Sequence, residues 1–138
     1  MSGDLPTPTP IVEPDTAPYW LGAGEGRLML TRCVTCSEVM WPPRPFCVAH
    51  MNSATEWVEA SGRGTIYSFT EVHRGAGEFA GARYVLAYVE LADGPRIMTN
   101  IVGATPDELR VGLDVTAVFH AADGGLGVPR FTPVRDDA

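Results

Sequence analysis

The feature that most constrains how this chain can fold is a pair of short motifs, Cys33-x-x-Cys36 and Cys47-x-x-His50, with ten residues between them. Each motif can place two ligands on one side of a metal ion, and the interval between the motifs can hold a β-hairpin. Three thiolates and one imidazole are a suitable tetrahedral donor set for Zn²⁺. Since protein ligands would fill all four positions, we predict a structural zinc site that stabilises the fold and takes no part in catalysis.

Two alternative roles for the cysteines compete with zinc binding. The three cysteines could be buried apolar residues, or Cys33 and Cys36 could form a redox pair of the thioredoxin type. A redox pair of that type is expected to open a helix after the strand of a βαβ unit. Residues 37–43 read Ser-Glu-Val-Met-Trp-Pro-Pro, which suits neither a helix start nor that unit. The matched spacing of the two motifs therefore favours zinc.

Length and charge narrow the class of protein. A chain of 138 residues can hold one ordinary domain, or a small metal-stabilised module beside a compact β-domain, and we favour the second. The net charge is −7 and all ten basic residues are arginine. The lack of lysine excludes a Schiff-base aldolase. The acidic balance argues against broad nucleic-acid binding, for which a basic face is expected.

The sequence also bears on location. It contains no run of eighteen apolar residues, and its N-terminus lacks a basic segment followed by an apolar one. We therefore expect neither a membrane span nor a secretory signal. Three cysteines at metal-ligand spacing suit a reducing compartment, so we expect a cytoplasmic protein.

The N-terminal part is predicted to contain an arm and a short helix. Residues 1–14 include four prolines, which favours an extended segment. This segment could be an arm laid along a partner, but we favour a mobile tail. A cap at Asp15 or Thr16 and a stop at the two glycines 22 and 24 bound a brief helix around Tyr19-Trp20-Leu21. These aromatic side chains must pack on the metal-binding module or on another chain.

The rest of the chain reads as β-structure. Residues 27–32 and 39–41 are predicted strands of the metal-binding ribbon, and residues 57–60 a strand that leaves the ribbon. Strict alternation over residues 65–73 predicts a strand with Ile66, Ser68, Thr70 and Val72 on one face. Four further predicted strands cover residues 84–91, 97–102, 115–121 and 128–134.

Short signals connect these strands. Asp93-Gly94 marks a hairpin, and Thr105-Pro106-Asp107-Glu108 is a capping box that starts a turn of helix ending at Gly112. Five strands with one short helix between the third and the fourth match the five-stranded OB-fold barrel, whereas a β-sandwich needs more strands. We therefore predict an all-β protein with a 1–14 Pro-rich arm, a 15–60 helix plus zinc ribbon, and a 61–135 OB-fold barrel.

An ordered set of motifs over about residues 15–135 resembles the acyl-CoA-associated zinc-ribbon/OB-fold family, long filed as domain-of-unknown-function family thirty-five. This chain has His50 where the family usually has a cysteine, which leaves a Cys₃His site or a weaker one. The motifs that carry the resemblance are Cys33-x-x-Cys36, Pro42-Pro43-Arg44, Cys47-x-x-His50, the segment Gly62 to Thr70, the segment Gly94 to Gly103, and Pro129 to Pro133.

The resemblance implies a rubredoxin-like ribbon followed by an OB barrel, and a companion subunit of thiolase-superfamily enzymes. Members bridge a thiolase to a hydroxymethylglutaryl-CoA synthase, or pair with thiolase-like aldolases that cleave the side chains of steroid CoA esters. Some are fused to a CoA-ester hydratase. The barrel is then expected to sit near the CoA channel of the partner, which carries out the chemistry.

The chain's own residues agree with a non-catalytic role. All three cysteines belong to the metal motifs, and the sequence has no Gly-x-Ser-x-Gly elbow and no P-loop. If a CoA ester is bound, its phosphates need guanidinium groups. The candidates are Arg74 and Arg83 beside the 75–81 loop, the neighbouring His73, and Arg44 on the ribbon, although each is more often a solvated or partner-facing charge.

Three hypotheses therefore stand. The first and favoured one is a non-catalytic partner of an acyl-CoA thiolase or aldolase. The second is a free-standing binder of acyl-CoA or another small ligand. The third is a module that binds single-stranded nucleic acid, and the negative net charge makes it the weakest.

Overall fold

The computed structural model of the chain describes residues 5–51 and 53–135. Residues 1–4 of the predicted arm lie outside the described residues. The described residues form one α-helix, α1, and then eight strands. Their bounds are α1 Ala17–Gly24, β1 Met29–Cys33, β2 Val39–Met40, β3 Thr55–Glu59, β4 Arg63–Val72, β5 Tyr84–Leu91, β6 Arg96–Ile101, β7 Asp114–Ala121 and β8 Gly127–Pro133.

The first three strands form the ribbon sheet, in the order β2-β1-β3 with both pairs antiparallel. The prediction that residues 57–60 leave the ribbon is wrong, because β3 pairs with β1 along its whole length, from Met29 opposite Glu59 to Cys33 opposite Thr55. The two residues of β2 cover only part of one edge of β1. Pairing with β3 satisfies the backbone groups of the other edge, which would otherwise remain open.

The last five strands close into a barrel in the order β4-β5-β6-β8-β7, with β7 pairing back to β4. Only the β6–β8 contact, between Ile101 and Phe131, is parallel. This is a five-stranded Greek-key barrel, so the predicted fold class is confirmed. The largest fully buried side chains of its core are Ile66, Val85, Val89, Ile97, Ile101, Val115 and Phe131.

A β-bulge in β4 overturns the strict alternation predicted for residues 65–73. Ile66 pairs with Val89, but the next pair joins Ser68 to Tyr88, so Tyr67 is an extra residue. An extra residue exchanges the faces of everything that follows it. Ile66 therefore lies in the core, Ser68 is exposed, and Phe69 packs against the core.

The predicted capping box is present, but the turn that it starts is short. The Glu108 carboxylate accepts hydrogen bonds from the backbone N–H and the hydroxyl of Thr105, at 2.8 and 3.0 Å. The helical segment covers only Pro106–Glu108, as a single 3₁₀ turn, and does not extend to Gly112.

Helix α1 lies between the ribbon and the barrel. It continues through Gly22 and ends at Gly24, and Gly26, with a φ of +77°, turns the chain after it. Tyr19 is buried, and its hydroxyl accepts a hydrogen bond from Trp41 Nε1 of the ribbon at 3.3 Å. A Cβ at Gly24 would overlap the carbonyl oxygen of Gly125, which precedes β8. Close backbone contact at the end of the helix thus fixes it to the barrel.

The arm lies against the barrel over residues 5–9. Arg130 of β8 donates hydrogen bonds to the Pro6 carbonyl and the Thr7 hydroxyl, and the Thr9 hydroxyl donates to Asp123 at 3.4 Å. A tail free of contacts therefore does not describe this segment. Within residues 5–51 and 53–135, no helix has the length and apolar character needed to cross a membrane.

Candidate metal centre

The four side chains of the two motifs meet at the end of the ribbon. The ligand atoms of Cys33, Cys36, Cys47 and His50 all lie within 4.8 Å of one another. The Sγ atoms of Cys36 and Cys47 are 3.8 Å apart, and Cys47 Sγ is 3.7 Å from His50 Nδ1. Among the described residues, this is the one group of histidine, cysteine and acidic side chains arranged closely enough to hold a metal ion.

The first motif is shaped by a tight turn at the end of β1. Ser37 adopts a positive φ of 65°, and its N–H donates to the Cys33 carbonyl at 2.9 Å. The turn aims the backbone N–H groups of Thr35 and Cys36 at Cys33 Sγ, at 3.3 and 3.4 Å. These donors, the Cys36 N–H first, lower the pKa of the Cys33 thiol to about 7. The turn thereby favours the thiolate, which is the form that binds a metal.

The second motif is closed by backbone hydrogen bonds to the segment before β3. Cys47 N–H donates to the Ser53 carbonyl at 3.1 Å, and Ser53 N–H donates to the His50 carbonyl at 2.7 Å. The Val34 N–H of the first motif donates to the Ala54 carbonyl at 3.1 Å. The same segment therefore holds both motifs in place.

The geometry fits a tetrahedral metal site. With a Zn–S distance of about 2.3 Å, two ligands of a regular tetrahedron lie about 3.8 Å apart, which matches the observed Cys36–Cys47 separation. Cys33 and Cys47 are buried, whereas Cys36 and His50 are exposed. Four donors leave no position for substrate, so the arrangement can stabilise the ribbon and does not provide an open Lewis acid.

The predicted CoA-contact residues fall into two places. The Glu71 carboxylate of β4 lies 3.4 Å from His73 Nε2 and 2.9 Å from Arg83 Nη2. His73 precedes the 75–81 loop and Arg83 follows it. Arg74 is exposed at the start of the same loop. Arg44 lies apart, on the ribbon, where its N–H donates to the Thr31 hydroxyl. The structure thus brings His73 and Arg83 together on one carboxylate, which offsets part of the positive charge of Arg83.

Sequence reasoning did not single out Leu86 and Met98 as part of an apolar surface on the barrel. Four large side chains are exposed on the outer side of β4, β5 and β6, and we call them the barrel face: Tyr67, Leu86, Tyr88 and Met98. The signal was present in β5, where Val85, Ala87, Val89 and Leu91 alternate into the core while the outward positions include the apolar Leu86 and Tyr88.

A groove continues the barrel face toward the ribbon. It has a volume of about 280 Å³ and lies between Leu86 and Met98 of the barrel and Trp20, Trp41 and Pro43 of the helix and ribbon. Thr16 and Asn100 also line it. The walls are largely apolar with a few polar groups, which is typical of a surface that binds a partner or an apolar ligand.

Comparisons with known protein families agree with both parts of this architecture. The family model described as "ChsH2, rubredoxin-like zinc ribbon domain" matches residues 20–55. The model described as "ChsH2, C-terminal OB-fold domain" matches residues 57–120.

Individual relatives are similar over most of the chain. A DUF35 domain-containing scaffold protein of Methanocaldococcus jannaschii is 35% identical over 79% of this chain and 83% of its own length. A probable enoyl-CoA hydratase alpha subunit of Thermomonospora curvata is 37% identical over 91% of this chain, which spans only 40% of that protein. A solved structure of an Ltp2-ChsH2(DUF35) aldolase superposes with a TM-score of 0.79 at 34% identity, over 91% of this chain and 98% of the other.

Proposed function

The chain belongs to the DUF35 family of zinc-ribbon and OB-fold proteins, and from that premise we propose that it is a non-catalytic accessory subunit of a thiolase-like enzyme. The partner would be an acyl-CoA thiolase or a retro-aldol lyase, such as one that shortens the side chain of a steroid CoA ester. The chain would dock near the CoA-ester channel of that enzyme and stabilise it. The reaction itself would take place in the partner.

The observation that carries this proposal is the barrel face together with the groove beside it. Leu86 is 36% exposed, Tyr88 40%, Met98 44% and Tyr67 47%, and these residues lie on three adjacent strands. Apolar side chains grouped on one surface are costly in water and mark an interaction site. Two of the similar proteins are named as a scaffold protein and as a ChsH2 in an aldolase, which supports an enzyme as the occupant.

The metal centre supports the lack of catalysis. The three cysteines of the chain are all ligand candidates in a site with four protein donors, so none of them is available as a thiolase-type nucleophile. We propose Zn²⁺ as the resident ion, since three thiolates and an imidazole at these separations suit it. Cys33, Cys36, Cys47 and His50 would hold it, and its role would be to stabilise the ribbon.

We also propose that the loop between β4 and β5 contacts CoA. Arg83 and His73 are exposed at the loop between β4 and β5, with Arg74 beside them. Guanidinium groups recognise phosphate oxygens well, so this cluster could meet the phosphates of a CoA ester held mainly by the partner. Arg44 would contact the partner from the ribbon.

The test is co-purification with the partner. The tagged chain and the thiolase-superfamily proteins of its host are co-expressed, and mass spectrometry identifies what co-purifies. We expect a thiolase-like protein in stoichiometric amount with the wild type and much less with Leu86→Asp. Val111→Asp is the matched control, because Val111 is 65% exposed and lies on the turn between β6 and β7, outside the strands that form the barrel face.

Two results would count against the proposal. One is a chain that stays monomeric and monodisperse and binds no thiolase-like protein. The other is an equal loss of the partner in Leu86→Asp and Val111→Asp, which would show that the barrel face does not bind the partner.

The groove gives one observation in favour of a free-standing binder of an acyl-CoA or similar ligand. Its volume of about 280 Å³ is near the lower end for a small-molecule site. Calorimetry with CoA esters on the isolated chain separates the two functions. Saturable heat without the partner supports the free-standing binder, and no heat supports the accessory subunit.

A further inference from the structure

A buried arginine lies on the outer side of the barrel, under the N-terminal arm. Arg130 is only 2% exposed, whereas the next residue of β8, Phe131, points into the core. Successive side chains of a strand face opposite sides, so Arg130 belongs to the outer surface and is covered by something other than the barrel. The covering segment is the arm, whose residues 5–8 are themselves half-buried.

The polar partners of Arg130 come from the arm and from β7. Its Nη2 donates to the Pro6 carbonyl, and its Nη1 donates to the Thr7 hydroxyl at 3.2 Å and to His120 Nδ1 at 2.7 Å. Within residues 5–51 and 53–135, no carboxylate lies within ion-pair distance of Arg130, and its Nε has no acceptor. Two of its three acceptors therefore belong to the arm.

This geometry determines the protonation state of His120. Guanidinium nitrogens only donate hydrogen bonds, so His120 Nδ1 must accept and the ring must carry its proton on Nε2. A doubly protonated ring has no acceptor and would place a second positive charge beside Arg130. The contact therefore exists only with neutral His120.

We infer that Arg130 and His120 form a peptide clamp on the barrel, which binds the proline-rich segment of residues 5–9 through its backbone and hydroxyl oxygens and which opens when His120 is protonated. The occupant is the chain's own arm. Proline has no N–H, so a Pro-Thr-Pro segment offers mainly oxygen atoms, which suits a site that can only donate.

The surrounding charges fit this clamp. The arm contributes no charged residue between positions 5 and 12, and Arg130 is the charged group that faces His120 from β8. Asp123, in the turn after β7, accepts a hydrogen bond from Thr9 and holds the far end of the segment. Burial, and then the charge of Arg130, lower the pKa of His120 below its ordinary value. A lowered histidine pKa means that arm binding is complete at neutral pH and decreases as the pH falls below about 6.5.

The experiment measures the order of the arm in the metal-loaded full chain by ¹⁵N NMR relaxation. We expect an order parameter at the Thr7 amide of about 0.8 at about pH 7.5, falling below about 0.6 at about pH 5.5. Arg130→Met should give the low value at both pH values, and so should Thr7→Val to a smaller extent. His120→Asn keeps an acceptor that does not titrate, so its arm should stay ordered at both pH values.

His73→Asn is the matched control, because the His73 side chain is exposed and lies beside Glu71, in the loop after β4 and not under the arm. It should behave as the wild type. The amide resonances of β1 report whether the ribbon stays folded across the same pH range.

An arm that is disordered at neutral pH in the wild type, or that stays ordered in both Arg130→Met and Thr7→Val, overturns the clamp. A wild-type pH response in His120→Asn overturns the role of His120. If Arg130→Met does not fold, Thr7→Val decides the result, because Thr7 lies outside the barrel.

Discussion

Replacement of Cys47 by serine tests the claim on which the architecture depends, namely that a metal ion stabilises the ribbon. Cys47 is fully buried, and its Sγ lies 3.8 Å from Cys36 Sγ and 3.7 Å from His50 Nδ1. Serine is nearly the same size as cysteine, but its hydroxyl stays protonated at neutral pH and does not replace a thiolate ligand. The variant therefore removes one ligand and leaves the backbone turns unchanged.

The size of the effect follows from the small size of the ribbon. Its three strands contain only five, two and five residues, so the metal ion is expected to supply a large share of its stability. Structural zinc contributes about 10–16 kcal/mol in small zinc modules. If the four ligands share this equally, the loss of one costs roughly 3 kcal/mol, or about a 100-fold to 1000-fold weaker metal affinity.

The assay combines metal content with amide hydrogen exchange. We expect Cys47→Ser to lose most of its zinc to a chelator that leaves the wild type loaded. Protection should then fall at Cys33 and Val34, whose N–H groups bond across the ribbon, and persist at Val102, which bonds to Phe131 in the barrel. Val48→Ser is the control, because this neighbouring residue is 50% exposed and its replacement should change stability by no more than about 0.5 kcal/mol.

The reasoning is refuted if the purified wild type holds no metal and its ribbon amides are nevertheless protected. It is also refuted if Cys47→Ser loses its metal without loss of protection. In either case packing alone would stabilise the ribbon, and the cysteines would have another role.

Two further predictions concern the helix between ribbon and barrel. Gly24→Ala should lower the free energy of unfolding by about 3 kcal/mol and the Tm by roughly 10 °C, because the new Cβ would overlap the backbone of Gly125. Gly26→Ala should lower the free energy of unfolding by only about 1–2 kcal/mol, because Gly26 has a φ of +77° but open space around it. Equal losses in the two variants would contradict the close contact between Gly24 and Gly125. Burial raises the pKa of Tyr19 to about 12, although the hydrogen bond from Trp41 acts in the opposite direction. The Tyr19 hydroxyl therefore keeps its proton to a higher pH in the folded state than in the unfolded state. The free energy of unfolding should decrease as the pH rises from about 10 to about 12. Urea unfolding at several alkaline pH values should show this decrease in the wild type and less of it in Tyr19→Phe, and identical pH profiles would show that Tyr19 ionises freely in the folded protein.

Several features of the site could be read from the sequence because they depend on local geometry. The spacing of Cys33, Cys36, Cys47 and His50 predicts that these four side chains meet, and in the structure they do. The surroundings of His73 and Arg83, which are proposed to contact CoA, could not be predicted in this way. Nothing in the sequence indicated that Glu71 would accept contacts from both His73 and Arg83, since that contact needs the pairing of β4 with β5.

The sequence by itself determined the metal motif, the strand pattern and the turns, because the periodicity and the ligand spacing that specify them act over a few residues. Only the tertiary structure decided the bulge at Tyr67, the pairing of β3 with β1 and the cover that the arm places over Arg130. These features bring together residues far apart in the chain. The pairing of β3 and the cover of the arm form because backbone and side-chain polar groups need partners that only the assembled fold supplies. The bulge turns Phe69 instead of Ser68 toward the core.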